Sequence, residues 1–142
     1  ILNLKEKNLT TQLDPSLKET NQPKQKTVTN LTFLSKISKG DPKKIKKYIS
    51  IYLQNVPSDL EKLNYAVKKQ NYKALPSIAH KIKGNASYLG VESVLSELII
   101  LEKMKHSEEN TNEITNIVSR VNLIIEKSIS ELKNYILELN KS

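Results

Sequence analysis

Apolar residues recur every three or four positions in four separate stretches of this chain, and this spacing restricts the fold more than any other feature. Such spacing places the apolar side chains on one face of an α-helix. Four amphipathic helices with short connections predict an all-α fold, an antiparallel four-helix bundle. The four apolar sets are Ile45, Ile49, Tyr52, Val56, Leu60, Leu63 and Val67; Leu75, Ile78, Ala79, Ile82, Ala86 and Leu89; Val91, Val94, Leu95, Leu98, Leu101 and Met104; and Ile114, Val118, Val121, Ile125, Leu132, Ile136 and Leu139.

Local signals predict where these helices begin and end. Gly40 favours a helix end, and Asp41 followed by Pro42 favours a start, with Asp as the capping residue and Pro in the first helical position. Gly90 is placed to terminate the helix that contains the second apolar set. A short extra N-terminal helix is predicted before Gly40 from the apolar cluster Leu31, Phe33, Leu34 and Ile37.

Irregularities are expected at three further positions. Pro57 falls inside the first long helix and predicts a kink. Asn71 is a candidate cap for the next helix, and Pro76 predicts an irregular first turn there. The polar residues 107–112 predict a loop before the last helix.

Residues 1–30 differ from the rest of the chain because they lack sustained periodicity. The polar stretch 14–30 contains two prolines and is typical of a linker or a loosely ordered arm. The sequence therefore predicts an arm over residues 1–30 and a single helical domain over residues 31–142. Because no initiator Met is present, we expect the chain to be a fragment of a longer protein.

Composition excludes several classes of function. The chain has no cysteine, which rules out disulfides and thiol chemistry, and no apolar run reaches the roughly 18 residues that span a bilayer. The formal charge of +8 favours acidic partners, but Arg120 is the sole arginine, whereas proteins that read nucleic-acid bases depend on arginine. We therefore expect a cytoplasmic domain that neither binds nucleic acid nor inserts into a membrane.

His80 is the residue most suggestive of chemistry. On a helical wheel it lies about 160° from Ile82, the centre of the apolar face, so its imidazole is predicted to face solvent. Its neighbours one and two turns away on the same face are all small: Ser77, Gly84 and Ser87. An exposed imidazole on a face without bulky side chains could be approached closely by another protein.

Lys83 lies one turn beyond His80 and places an ammonium group beside the ring. That charge would disfavour the imidazolium form, which cannot act as a nucleophile, and would later offset the charge of a bound phosphoryl group. Gly84 costs a helix roughly 1 kcal/mol relative to Ala, and clearance for a docking partner would explain it. The alternatives remain open that His80 is an ordinary surface histidine, that Gly84 allows close helix packing, and that Lys83 is coincidental.

The segment Ala79–Gly90, with the sequence AHKIKGNASYLG, resembles the signature of the histidine-containing phosphotransfer (HPt) family. The match includes the histidine, the lysine three residues later, the glycine after it and the closing glycine. This resemblance implies a four-helix-bundle domain in which His80 is phosphorylated on Nε2, while Lys83 contributes charge and Gly84 contributes clearance. Ser77 and Ser87 are then candidate partner-docking residues, and Pro76 departs from the family pattern.

The resemblance implies a phosphocarrier of a two-component phosphorelay, which takes a phosphoryl group from a receiver aspartyl-phosphate and passes it to another receiver. Such a carrier is not an enzyme with an ATP site, has no cofactor or metal of its own, and relies on Mg²⁺ from the receiver. The parent protein would be a hybrid sensor kinase, membrane-anchored in some cases, with one receiver in the same chain. Two other readings stay open: a helical docking or inhibitory module that is never phosphorylated, and an electrostatic binder of polyanions.

The remaining candidates are weaker. His106 is expected at the C-terminus of the fourth helix, where a cation suits the helix dipole, and we interpret it as structural. Ser87 is preferred over Asn85 as a hydrogen-bonding partner of the phosphoryl group, because Asn85 lies nearer the core side.

Overall fold

The computed structural model describes residues 27–104 and 110–141, and this part of the chain consists of helices joined by short connections. The predicted all-α fold and the short N-terminal helix are confirmed. None of the described helices is long and apolar enough to cross a membrane. The helices are α1 (Thr32–Ile37), α2 (Pro42–Lys68), a 3₁₀ turn (Tyr72–Ala74), α3 (Leu75–Tyr88), α4 (Glu92–Lys103) and α5 (Thr111–Lys141).

Helix α2 begins where the sequence predicts. The Asp41 side chain accepts a hydrogen bond of 2.9 Å from the backbone N–H of Lys43, and Pro42 occupies the first turn, where its missing N–H costs nothing. Pro57 lies inside this helix, which extends from Pro42 before it to Lys68 after it.

The start of α3 is irregular, as Pro76 predicts. A 3₁₀ turn precedes the helix, and Pro76 falls within its first two positions. The prediction that Asn71 caps this helix is wrong, because its side chain makes no capping hydrogen bond. Its backbone N–H instead bonds to the carbonyl of Ala66 at 2.8 Å and closes the end of α2.

Gly90 ends α3 as predicted, with φ of +65°. The N–H of Val91 bonds to the carbonyl of Ala86 at 3.1 Å, and that of Gly90 bonds to the carbonyl of Ser87 at 3.2 Å, a Schellman arrangement. A Cβ atom at position 90 would lie 2.1 Å from the carbonyl oxygen of Asn30. The turn therefore brings α3 into contact with the segment that precedes α1.

The four long helices bury the predicted apolar faces against one another. Helix α3 packs against α2 and α4, and α5 also packs against α2 and α4. Helix α5 starts at Thr111, inside the stretch predicted as a loop, of which residues 107–109 lie outside the described residues. The largest fully buried side chains are Tyr52, Leu34, Ile49, Leu63, Leu75, Ile82, Leu89, Leu98, Leu101, Ile114, Ile117 and Ile125.

One hydrogen-bonded polar pair lies in this core. The hydroxyls of Tyr52 and Ser128 are 2.7 Å apart, and Ser128 also donates to the carbonyl of Ile125. Burial raises the pKa of the Tyr52 phenol to about 12. The apolar pattern of α5 skips Ser128, and the structure shows that this gap receives the tyrosine hydroxyl.

Residues 27–30, which we call the strap, run across the bundle before α1. The backbone N–H groups of Val28 and Thr29 donate to the Glu131 carboxylate on α5 at 2.9 and 3.0 Å, and the Thr29 hydroxyl donates at 2.6 Å. The N–H of Asn30 donates to the carbonyl of Leu89 at 3.0 Å. The strap belongs to the predicted arm; the rest of that arm, residues 1–26, lies outside the described residues.

Candidate functional site

His80 lies in the middle of α3 and faces away from the core. Its side chain is 69% exposed, whereas Ile82, two residues later, is fully buried. The structure thus places the imidazole on the solvent side of the helix, as the wheel predicts.

A carboxylate from the next helix bridges His80 and Lys83. The Oε2 atom of Glu102, in the last turn of α4, lies 2.6 Å from Nδ1 of His80, and Oε1 accepts a hydrogen bond from the Lys83 ammonium. These two hydrogen bonds, the one from Lys83 being the stronger influence, lower the pKa of Glu102 below its ordinary value. The Lys83 charge that the sequence places beside the ring is therefore shared with a carboxylate.

This bridge fixes the tautomer of the imidazole. Because Glu102 is ionised near neutral pH, its oxygens can only accept hydrogen bonds, so Nδ1 of His80 must be the donor. The lone pair of the neutral ring then resides on Nε2. A nucleophilic nitrogen is thereby presented on an exposed side chain.

Gly84 leaves open space one turn beyond His80. A Cβ atom built at this position meets nothing within 4 Å in the described part of the chain. The alternative that Gly84 permits close packing of described helices is therefore excluded. What the glycine provides is an unobstructed surface next to the imidazole.

Ser77 and Ser87 flank this surface and are both exposed. The Ser77 hydroxyl donates to the carbonyl of Ala74 at 3.3 Å, and that of Ser87 donates to the carbonyl of Lys83 at 2.9 Å. Each hydroxyl thus gives its proton to a backbone carbonyl three or four residues earlier and retains lone pairs that can accept from a partner. To donate a hydrogen bond to a phosphoryl group, the Ser87 hydroxyl would have to rotate away from the backbone carbonyl of Lys83.

A groove of about 490 Å³ continues from Ser87 toward the end of α3, and we call it the Ser87 groove. Its lining residues come from the strap and α1 on one side and from the α3–α4 hairpin on the other, among them Asn30, Thr32, Phe33, Ser87, Gly90 and Leu95. Phe33 is half exposed, and its ring centroid lies 6.1 Å from that of Tyr88.

A second lysine next to His80 is also paired. Lys81 lies 3.5 Å from the carboxylate of Asp59 on α2, whose side chain is only 5% exposed. The imidazole therefore projects between two lysines, each held by an acidic side chain of a neighbouring helix. Both acidic residues escaped the sequence analysis.

Glu102 could have been found from the helix register. If residues 90 and 91 form the turn of an antiparallel helix pair, residue 80 on the first helix lies opposite residue 101 on the second, next to Glu102. No cluster of three or more potential metal ligands occurs among residues 27–104 and 110–141. His106 lies outside the described residues.

Comparison with known proteins gave one family. A family model described as Hpt domain matches residues 47–139, a stretch that contains His80 and reaches from α2 to α5. Comparisons with curated proteins and with solved structures gave no significant match.

Proposed function

The chain belongs to the Hpt domain family, and we propose that His80 is the phosphorylated histidine through which it carries a phosphoryl group between receiver domains. Hpt domains are phosphocarriers of two-component phosphorelays and have no ATP site. The observation that carries the assignment is the hydrogen bond from Nδ1 of His80 to Glu102, combined with the exposure of the ring.

The proposed step is an in-line displacement. The Nε2 lone pair of His80 forms the N–P bond while the bond between phosphorus and the aspartyl oxygen breaks, and the aspartate leaves as a carboxylate. The proton on Nδ1 stays in place, so the phosphorylated ring carries a positive charge that Glu102 stabilises. Transfer to a second receiver reverses these bond changes.

Lys83 has a supporting part in this proposal. Its ammonium is close enough to share Glu102 with His80, and it can turn to the phosphoryl oxygens once they arrive. Gly84 leaves the approach to Nε2 open, and Ser77 and Ser87 belong to the surface on which the receiver docks.

The proposal includes an antiparallel four-helix bundle formed by α2, α3, α4 and α5. It is supported by the packing of α3 and α5, each against both α2 and α4, and by the short connections between the described helices. In such a bundle the two helices that carry His80 and Glu102 are direct neighbours.

The partners are proposed to be receiver domains, one of them in the same parent chain, a hybrid sensor kinase. Receiver phosphorylation pockets are acidic, and a chain of charge +8 would be steered toward them. The Mg²⁺ for transfer would come with the receiver, the site would lie in the cytoplasm, and nucleic acid would not be a partner.

The test compares the two histidines of the chain. We expect His80→Gln to abolish acid-labile phosphate uptake from a phosphorylated receiver, and at a surface site this change should cost under about 0.5 kcal/mol of stability. His106→Gln is the matched control and should be phosphorylated at the wild-type rate. Phosphate on folded His80→Gln protein would refute the assignment, and a wild-type chain that binds receivers without being phosphorylated would be a docking module.

A further inference from the structure

We propose that Glu131 on α5 is a positioning residue for receiver docking, because it holds the strap, the strap holds α1, and α1 forms a wall of the Ser87 groove. This inference rests on the proposed function and identifies a residue that determines how well a receiver docks at the same site. Glu131 is 51 positions from His80 in the sequence, and its carboxylate bonds to the strap, so its effect would be on docking and not on the nucleophile.

Glu131 binds the strap through several hydrogen bonds at once. Its carboxylate accepts from two consecutive backbone N–H groups and from the Thr29 hydroxyl, all at 3.1 Å or less. Hydrogen bonds to a charged acceptor are roughly twice as strong as neutral ones. The partly buried position of Glu131 reduces competition from water.

Helix α1 depends on this binding because it is too short to be stable alone. It has six residues, well below the roughly 12 to 15 needed for a marginally stable isolated helix. Leu34 is its one buried residue, and the side chain that caps its N-terminal end belongs to the strap, where Asn30 Oδ1 accepts from the backbone N–H of Thr32 at 3.0 Å. The strap anchors that end, through Glu131 and through the hydrogen bond from Asn30 to Leu89.

The Ser87 groove loses one side if α1 moves away. Asn30, Thr32, Phe33 and Lys36 form that side, and they belong to the strap and α1. Phe33 packs on Tyr88 and has about half of its surface exposed toward solvent. Release of the strap would therefore remove an apolar contact surface without altering α3 itself.

The partner that we assign to the Ser87 groove is the receiver that phosphorylates His80. Ser87 lies two turns from His80 on the same face of α3, about 10 Å along the helix axis. A standard protein interface covers about 800 Å² on each partner. A receiver centred on His80 therefore reaches the Ser87 groove. The side of the groove that α1 forms then contributes to the affinity for the receiver.

The experiment separates docking from chemistry in the full chain. Uptake is measured first from phosphoramidate, a donor too small to contact the groove, and then from isolated receiver domains phosphorylated with acetyl phosphate and Mg²⁺. For the receiver with the lowest KM, we expect Glu131→Ala to raise KM about tenfold, equivalent to ~1.4 kcal/mol, with the maximal transfer rate and phosphoramidate uptake unchanged.

Matched variants exclude trivial explanations. Glu126→Ala, at an exposed glutamate on the same helix, should leave KM unchanged. Thr29→Val, which removes the hydroxyl hydrogen bond and keeps the backbone N–H groups, should raise KM by a smaller factor and remains informative if Glu131→Ala does not fold. Removal of residues 1–26 should leave KM unchanged, whereas removal of residues 1–30 should match Glu131→Ala.

The outcomes distinguish the two levels of the proposal. If the wild-type chain takes no phosphate on His80 from either donor, the proposed function fails. If phosphate uptake is normal but Glu131→Ala and Thr29→Val both keep the wild-type receiver KM, the strap does not position the docking surface and this inference is overturned. A loss of phosphoramidate uptake in folded Glu131→Ala protein would also overturn it, since the effect would then be on the nucleophile.

Discussion

Glu102 and Glu131 are the same kind of side chain used in two different ways. Glu102 binds two ionisable side chains at the surface, His80 and Lys83, whereas Glu131 binds backbone N–H groups of the strap. Side-chain partners can change their charge and their position during a reaction, but backbone amides keep theirs. The comparison teaches that one carboxylate is suited to controlling a reactive nitrogen and the other to holding a segment in place.

The largest expected effect comes from replacing each glutamate in turn and measuring uptake from phosphoramidate. Glu102→Gln can donate to Nδ1 as well as accept from it, so the tautomer of His80 is no longer fixed, and we expect uptake to fall by about tenfold to a hundredfold. Glu131→Gln should be phosphorylated at the wild-type rate. Equal rates for both variants would abolish the distinction between the two glutamates.

Gly84 tests whether docking can be damaged while the Glu102 site stays intact. Gly84→Ala should raise the free energy of unfolding by up to about 1 kcal/mol, because Ala is the better helix former and its Cβ meets nothing within 4 Å. Gly84→Gln should remain folded and accept phosphoramidate normally, while transfer from a receiver falls by about tenfold or more. Normal receiver transfer by this variant would show that receivers do not approach over this face.

A smaller effect is expected from Lys83→Ala, which removes one of the two partners of Glu102. Uptake should persist because Glu102 still accepts from His80, but receiver transfer should slow by about threefold and the phosphorylated form should hydrolyse faster. The measurement is single-turnover transfer at low and high salt. Identical rates for variant and wild type at both salt concentrations would make Lys83 an ordinary surface lysine.

The smallest effect is on stability at acid pH. The pKa of Glu102 is lowered in the folded chain from its ordinary value of 4.5, so its stabilising contribution is complete above that pH and is lost as the pH falls through the folded value. Urea unfolding should therefore show wild type more stable than Glu102→Gln at neutral pH, and the difference should shrink as the pH falls below 4.5. A difference that stays constant over this range would mean that the carboxylate does not stabilise the fold.

The parts of this molecule that could be predicted from sequence are those set by neighbouring residues. The apolar faces follow from spacings of three and four, and the start of α2 follows from Asp41 and Pro42. The exposure of His80 follows from the same wheel that buries Ile82. The capping signal at Asn71 misled because the residue closes the preceding helix through its backbone N–H, while its side chain makes no capping hydrogen bond.

The two glutamates escaped sequence analysis because their partners are distant along the chain. Glu102 is 22 residues from His80, and Glu131 is 102 residues from Thr29. Composition gives no sign of such pairs, since an exposed or partly buried glutamate on a helix is ordinary. The turn at residues 90 and 91 points to the neighbourhood of Glu102, but the pairing of Glu131 with the strap depends on a contact that only the folded chain defines.

Gly90 shows how a signature that reads as local can record a distant contact. Lys39 and Gln70 also follow helix ends with positive φ values of +53° and +57°, so this backbone shape alone does not demand glycine here. What excludes a side chain at position 90 is the carbonyl of Asn30, outside both the quoted motif and the family match. The closing glycine of the motif is thus required by the close approach of Asn30, a residue that a search for the motif does not include. If the motif were grafted onto another helical hairpin, the glycine would be kept although the contact that requires it would be missing.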